Sequence, residues 1–342
     1  MSASSLTLAD FIERLATPAS SEWSVLTGTP VLAVDATGPD DARTSADALS
    51  RAVGVLGTLP CPSVALIGER SSGPVQRVLA AFDVVVTTRA ELDAVVAAVT
   101  RTPLAAATLV HVLRAGAVLT VAEALTLESL GYATLQAGPE HARWLAARPA
   151  AAHGVTDGDP VRVELENDRL IITLDRPARH NAFSARMRDA LCAALALAHA
   201  EPDLAVVLRG AGPSFSSGGD LDEFGTRPDP TTAHLVRMTR SPARLLAAIA
   251  PRLRAEVHGA CLGAGSELAA FAGHVIATSD AVFQLPEVAM GLIPGAGGTA
   301  SITRRIGRQR TAGLALTGRR LDAATALGWG LIDAVAEAAK VS

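Results

Sequence analysis

Two glutamates set twenty residues apart carry the strongest chemical signal in this chain of 342 residues. Glu267 closes the stretch His258-Gly-Ala-Cys-Leu-Gly-Ala-Gly-Ser-Glu267, and Glu287 sits in Gln284-Leu-Pro-Glu287, ahead of Gly295-Ala-Gly-Gly298. Their neighbours are largely uncharged. A carboxylate in apolar surroundings is costly unless it is paired, hydrogen-bonded or neutralised. Two such groups meeting in one pocket would supply a general acid and a general base. The glycines around them add a second function. In Phe215-Ser-Ser-Gly-Gly-Asp220 small residues let the backbone turn sharply and leave amides free to hold an oxyanion. In Gly263-Ala-Gly-Ser-Glu267 a helix is expected to start, and its first amides and dipole favour developing negative charge. Each motif alone also has an ordinary explanation. Asp220 would cap a strand-to-helix turn, Glu267 would lie on an exposed helix face, and Glu287 would be a solvated loop residue. His258 and His274 lie near these motifs but have no partner at metal-ligand spacing, so structural roles fit them.

The elements that must position these residues read as α/β. Short buried strands are expected at 30–34, 63–67 and 82–86, with helices near 41–56 and 90–99 between or after them. From 103 to 147 the pattern turns wholly helical, with Pro139 opening the last helix. A stretch rich in proline, glycine and small residues at 146–160 reads as a linker, dividing a region 1–150 from a region 160–342. The second region restarts as β. Val161, Val163 and Leu165 alternate with polar residues, and a buried run follows at 170–174. A helix over 184–200 puts Met187, Leu191, Leu195 and Ala198 on one face. Further strands are expected at 204–208, 254–258 and 275–278, with a helix at about 264–271. The motifs fall at strand ends, where loops open onto a shared crevice.

Composition narrows the classes. The chain is 49% hydrophobic and 19% charged, with a formal net charge of −4, which suits a globular chain with a large core. No basic stripe points to nucleic acid. Aromatic residues are 3% of the chain, with one tyrosine, too few for a platform that stacks single-stranded bases. The N-terminus has no basic region before an apolar run, so no secretory leader is expected. The most apolar stretch, 102–130, is interrupted by His111, Arg114, Glu123 and Glu128, which argues against a membrane span. Cys61, Cys192 and Cys261 form neither a disulfide framework nor a metal knuckle, and a cytoplasmic location is expected.

Residues 161–337 resemble the enoyl-CoA hydratase/isomerase, or crotonase, superfamily. The resemblance rests on Arg176-Pro-Ala-Arg-His-Asn-Ala182, Phe215-Ser-Ser-Gly-Gly-Asp220, Gly263-Ala-Gly-Ser-Glu267, Pro286-Glu287 through Gly297-Gly-Thr299, and Leu316-Thr-Gly-Arg-Arg-Leu-Asp322 through Gly330-Leu-Ile-Asp333, in that order. It implies a crotonase (ClpP-like) ββα spiral in the C-terminal half. It implies an acyl-CoA thioester as substrate, its enolate oxygen held by the backbone amides at Gly219 and Ala264. The position of Ala264 is more usually glycine in the family. The hydratases use two glutamates, matched here by Glu267 and Glu287. Both would position and activate water, with Glu287 as the proton donor to C2. Retention of both favours a hydratase over an isomerase; a non-catalytic acyl-CoA-binding or assembly subunit is the alternative of a different class. Ala178 and Arg179 match the segment that runs along the CoA moiety, and Ser217 the position beside its adenine. The resemblance implies no metal and no cofactor, coenzyme A being part of the substrate. It implies a homo-oligomer, a trimer or hexamer, with no nucleic-acid or membrane partner.

Two departures stand out. Family members continue with helices beyond the region matching Asp333, whereas here the similar helical segment, 103–144, precedes the module. Residues 20–100 look like a reduced crotonase core without its glycine loops. A tandem arrangement is therefore expected, a degenerate, non-catalytic half followed by a catalytic one. The polar stretch 225–232, which shapes the acyl pocket in the family, leaves chain-length preference open.

Overall fold

The computed structural model describes residues 5–15, 22–38, 45–68, 73–149, 158–226 and 229–337. Its N-terminal unit runs β1 (Leu6–Thr7), α1 (Leu8–Arg14), β2 (Leu32–Ala36), α2 (Ala46–Thr58), β3 (Ser63–Ile67), α3 (Gly73–Ala81), β4 (Val84–Val86) and α4 (Arg89–Arg101). The four strands form one parallel sheet in chain order. A parallel sheet is covered on both faces, so its strands read as unbroken apolar runs. Here the alternation divides them between two cores. Leu32, Val34, Ala36 and Ala65 pack with Phe11, Trp23 and Leu56, while Ala33, Val64, Leu66, Val84 and Val86 join the core that continues into the C-terminal half. Among the described residues of this unit there is no second sheet. The expected linker lies partly outside the described residues, at 150–157.

Three helices follow: α5 (Pro103–Gly116), α6 (Val121–Gln136) and α7 (Pro139–Ala146). Pro103 and Pro139 stand at first helical positions, where a missing N–H costs nothing. The N-terminus of α5 has no side-chain cap of its own; Glu140 of α7 accepts the Leu104 and Ala105 amides at 2.8 and 2.9 Å instead. The Asp83 carboxylate, 1% exposed, locks this region to the C-terminal half. It takes Arg114 Nε at 2.9 Å and Arg308 Nη1 at 2.8 Å, besides the Ser63 amide and hydroxyl. The anchor thus joins β4, α5 and a helix more than two hundred residues later.

The C-terminal half begins with the antiparallel hairpin β5 (Val161–Glu166) and β6 (Arg169–Leu174), then α8 (Ala185–Ala200), β7 (Ala205–Gly210), α9 (Pro230–Thr239) and α10 (Pro242–Ile249). Next come two turns of a repeating unit. One is β8 (Leu253–Val257), β9 (Ala260–Leu262) and α11 (Ala264–Ala269); the other is β10 (His274–Thr278), β11 (Val282–Gln284) and α12 (Gly298–Ile306). In each, the first strand joins the large sheet, the second joins a small sheet, and a helix returns the chain. After α13 (Arg308–Thr317) come β12 (Leu321–Asp322), α14 (Ala323–Trp329) and β13 (Ala334–Ala336). The large sheet has the order β13-β10-β8-β7-β6-β5 and the small one β12-β11-β9. The second sheet is absent from the sequence-based expectation because its strands span two or three residues, too few to show a period. The β5 alternation also turns out differently. β5 is an edge strand, and Val163 and Leu165 are 36% and 67% exposed instead of facing the core.

This ββα repeat explains the twenty-residue spacing. Strands β9 and β11 are parallel neighbours, with Leu262 opposite Gln284. Glu267 follows the first and Glu287 the second, so one turn of the spiral delivers both to the same side of the sheet.

Candidate active site

A cleft of about 460 Å³ is lined by Glu267, Glu287, Gly219 and Ala264, the four residues to which the sequence assigns chemistry. Glycine makes their approach feasible. Gly263 has φ +47°, and a Cβ there would come within 2.6 Å of Glu287 Oε1. Gly218 has φ +93°, and its Cβ would press on the Leu262 carbonyl at 3.0 Å. The two glycine loops are also joined through Ser216 and Cys261 in a parallel bridge.

The amide geometry follows from strand-like alternation. The Phe183 amide donates to Gly218 O and the Asp220 amide to Phe183 O. Successive groups point to opposite sides in extended chain, so the Gly219 amide between them faces away from Phe183. Ala264 is the first residue of α11, where amides have no intrahelical acceptor. Among the described residues neither amide donates a hydrogen bond. Asp220 does cap a short 3-10 turn, Leu221–Glu223, and also pairs with Arg176 at 2.9 Å.

The two carboxylates have different surroundings. Glu267, 1% exposed, accepts the Ala296 and Gly298 amides on Oε2 at 2.7 and 2.8 Å. Burial raises its proton affinity and these amides oppose the rise. Glu287, 8% exposed, leaves a buried Oε2 without a hydrogen-bond partner among the described residues. Burial first, and the nearby Glu267 charge second, push it well above the ordinary carboxyl range. Two acids held apart in proton affinity within one pocket can divide the roles of proton donor and carboxylate base.

A third carboxylate joins them that the motif reading did not place in the site. Glu128 of α6 is 2% exposed. It accepts the Gly297 amide at 2.7 Å, the Thr299 amide at 2.9 Å and the Thr299 hydroxyl at 2.6 Å. Amides 296 and 298 therefore point to Glu267, and amides 297 and 299 to Glu128. One glycine turn at the start of α12 is clamped between two acids. Burial and Glu267 both raise the Glu128 proton affinity. One helical turn later Tyr132 lines the cleft, so close to Gly295 that a Cβ there would lie 2.4 Å from its ring. Of the two acids in α6, Glu123 closes the capping box at its N-terminus; Glu128, set among apolar helical residues with no such local role, is the signal the sequence offers. What it bonds lies 169 residues away in sequence, for the Gly297 amide.

The residues matched to CoA contacts lie outside the cleft lining. Ala178 and Ser217 are exposed, and Arg179 pairs with Asp222 at 2.5 Å and Asp220 at 3.4 Å. His258 Nε2 meets the Gly212 carbonyl at 2.8 Å and His274 lies 3.8 Å from Asp333, structural positions both. Gly225, Asp229 and Pro230 of the polar stretch 225–232 line the cleft; residues 227–228 of it lie outside the described residues.

Comparison with known proteins adds independent findings. A family model described as enoyl-CoA hydratase/isomerase matches residues 164–342. The chain is 40% identical over 176 residues to a "Probable enoyl-CoA hydratase" of Rhodobacter capsulatus, covering 50% of this chain and 66% of that one. It is 34% identical over 183 residues to one of Mycobacterium tuberculosis, covering 53% and 70%. It is 35% identical to a mevalonyl-coenzyme A hydratase of Beauveria bassiana, covering 48% and 62%. Among solved structures, an enoyl-CoA hydratase from Thermoplasma volcanium is similar at 32% identity and a TM-score of 0.47, covering 53% of this chain and 73% of its own.

Proposed function

The chain belongs to the enoyl-CoA hydratase/isomerase family, and on that premise we propose that it is an enoyl-CoA hydratase, adding water across the 2,3 double bond of an acyl-CoA thioester. The observation that carries this reading is the shared lining: two amides without acceptors and two buried acids of unequal proton affinity face one cleft.

The proposed steps follow from that asymmetry. The thioester oxygen takes hydrogen bonds from the Gly219 and Ala264 amides, which stabilise the enolate; one such donor is worth roughly 10²–10³-fold in rate. Glu267, with two amides on its carboxylate, enters ionised and draws a proton from water as the oxygen bonds to C3. Glu287, buried and short of partners, enters protonated and gives its proton to C2. The proton gained by Glu267 then passes to Glu287, which restores the starting state. No redox change occurs, and neither metal nor cofactor enters these steps. We propose that the N-terminal unit is a degenerate, non-catalytic half that takes no part in them.

Loss of the enoyl-thioester absorbance with crotonyl-CoA is the expected result for the wild-type chain. Turnover of a 3-enoyl-CoA with none of crotonyl-CoA would favour isomerisation instead. Tight CoA-ester binding without turnover of either would make the chain a binding subunit.

A further inference from the structure

Three partly buried arginines each have a carboxylate: Arg114 and Arg308 share Asp83, and Arg176 has Asp220. Arg237 of α9 does not. It lines both the cleft and an adjoining cavity of about 80 Å³. Its guanidinium bonds Ser129 Oγ at 3.0 Å, Gln136 Oε1 at 3.2 Å and the Ser129 carbonyl at 3.3 Å, and lies 4.5 Å from the Tyr132 ring centroid. All these partners are neutral. Among the described residues no carboxylate is within ion-pair distance of Arg237. Glu128 is near enough to be felt, but both its oxygens are held by Gly297 and Thr299. The lining of the adjoining cavity holds Arg188, Arg240 and Arg244 besides Arg237, with Glu128 as its one acid. Arg188 and Arg240 share Asp189, while Arg244 bonds Thr126 Oγ1 and the Ala122 carbonyl.

A guanidinium keeps its charge at any physiological pH, and withdrawing that charge from water without a counter-charge is costly. An anion arriving with the ligand would remove the cost and gain a charge-assisted, two-pronged contact. We infer that the acyl group taken by this cleft ends in a carboxylate, which pairs with Arg237, so that the substrates are enoyl-CoA esters of short dicarboxylic acids. This rests on the hydratase reading and names its substrate class. Glu267 and Glu287 then work at the double bond while Arg237 selects the far end.

The test compares length-matched substrates, trans-2-hexenedioyl-CoA and trans-2-hexenoyl-CoA, by kcat/KM. Wild type is expected to prefer the carboxylated ester by about 30-fold or more, the scale of a buried charge pair losing one partner. Arg237→Met is expected to remove that preference, kcat/KM falling about 30-fold further for hexenedioyl-CoA than for hexenoyl-CoA. Equal or better use of hexenoyl-CoA by wild type overturns the inference and leaves the hydratase reading standing. If neither ester turns over, the hydratase reading fails, and calorimetry with the saturated adipyl-CoA and hexanoyl-CoA on wild type decides the anion separately. Tighter binding of adipyl-CoA supports Arg237 as its anchor; equal binding overturns it.

Discussion

Glu287→Gln is expected to remove the proposed hydratase activity and to make the folded chain more stable at neutral pH. The loss is expected to be roughly 10²–10⁴-fold in kcat, the range for a positioned acid or base, because Gln keeps the shape of a protonated acid but has no proton to give to C2. The gain has a separate cause. The Glu287 carboxyl has an ordinary value of 4.5 outside the fold and is held well above it inside, by burial and by Glu267. A group raised in this way binds more protons folded than unfolded. Its contribution to stability is complete below the ordinary value and is lost as pH rises through the folded one. Glu267 and Glu128 are raised as well and act in the same direction. The midpoint of thermal unfolding, followed from pH 4 to pH 8.5, should therefore rise in the variant relative to wild type as pH increases, with the two curves meeting near pH 4. An active site kept at the expense of stability behaves this way. A variant that unfolds earlier than wild type at pH 8 would contradict the buried, partnerless carboxyl.

The C-terminal half was legible because its candidate chemistry is local in sequence. Gly219, Ala264, Glu267 and Glu287 each sit in a short glycine- or proline-framed motif, and the framing residues are the ones the backbone requires: Gly263 at positive φ and Gly218 against Leu262. The buried runs of β3 and β6 also stand out, since a strand covered on both faces has no polar interruption. What stays hidden is long-range. The three-residue strands β9 and β11 carry no period, though they bring Glu267 and Glu287 together. Glu128 and Arg237 look like charges on ordinary helices until α6 packs against α9 and α12. Leu165 reads as a core residue because alternation alone does not say which strand is an edge.

Glu128→Ala is expected to lower both stability and turnover, because the clamp on the glycine turn is what joins the N-terminal helices to the chemistry. The substitution leaves the Gly297 amide, the Thr299 amide and the Thr299 hydroxyl without their acceptor. A buried donor left unpaired costs about 1–3 kcal/mol. The adjoining cavity, lined by Glu128 and Gly297, lets water replace part of the loss, so the expected destabilisation is about 2–4 kcal/mol in urea unfolding. The turn that loosens also carries the Ala296 and Gly298 amides that hold Glu267. A displacement of about an ångström at a reacting group costs roughly 10²-fold, which should appear in kcat with KM little changed, since Glu128 is not part of the cleft lining. The pH profile separates this positioning role from a merely structural one. The Ala296 and Gly298 amides hold the Glu267 carboxylate ionised against its burial; with the turn loosened they do so less well and Glu267 ionises at higher pH, so the acid limb of kcat moves up in Glu128→Ala. A variant that unfolds earlier but keeps the wild-type kcat and acid limb would reduce Glu128 to a brace for α12.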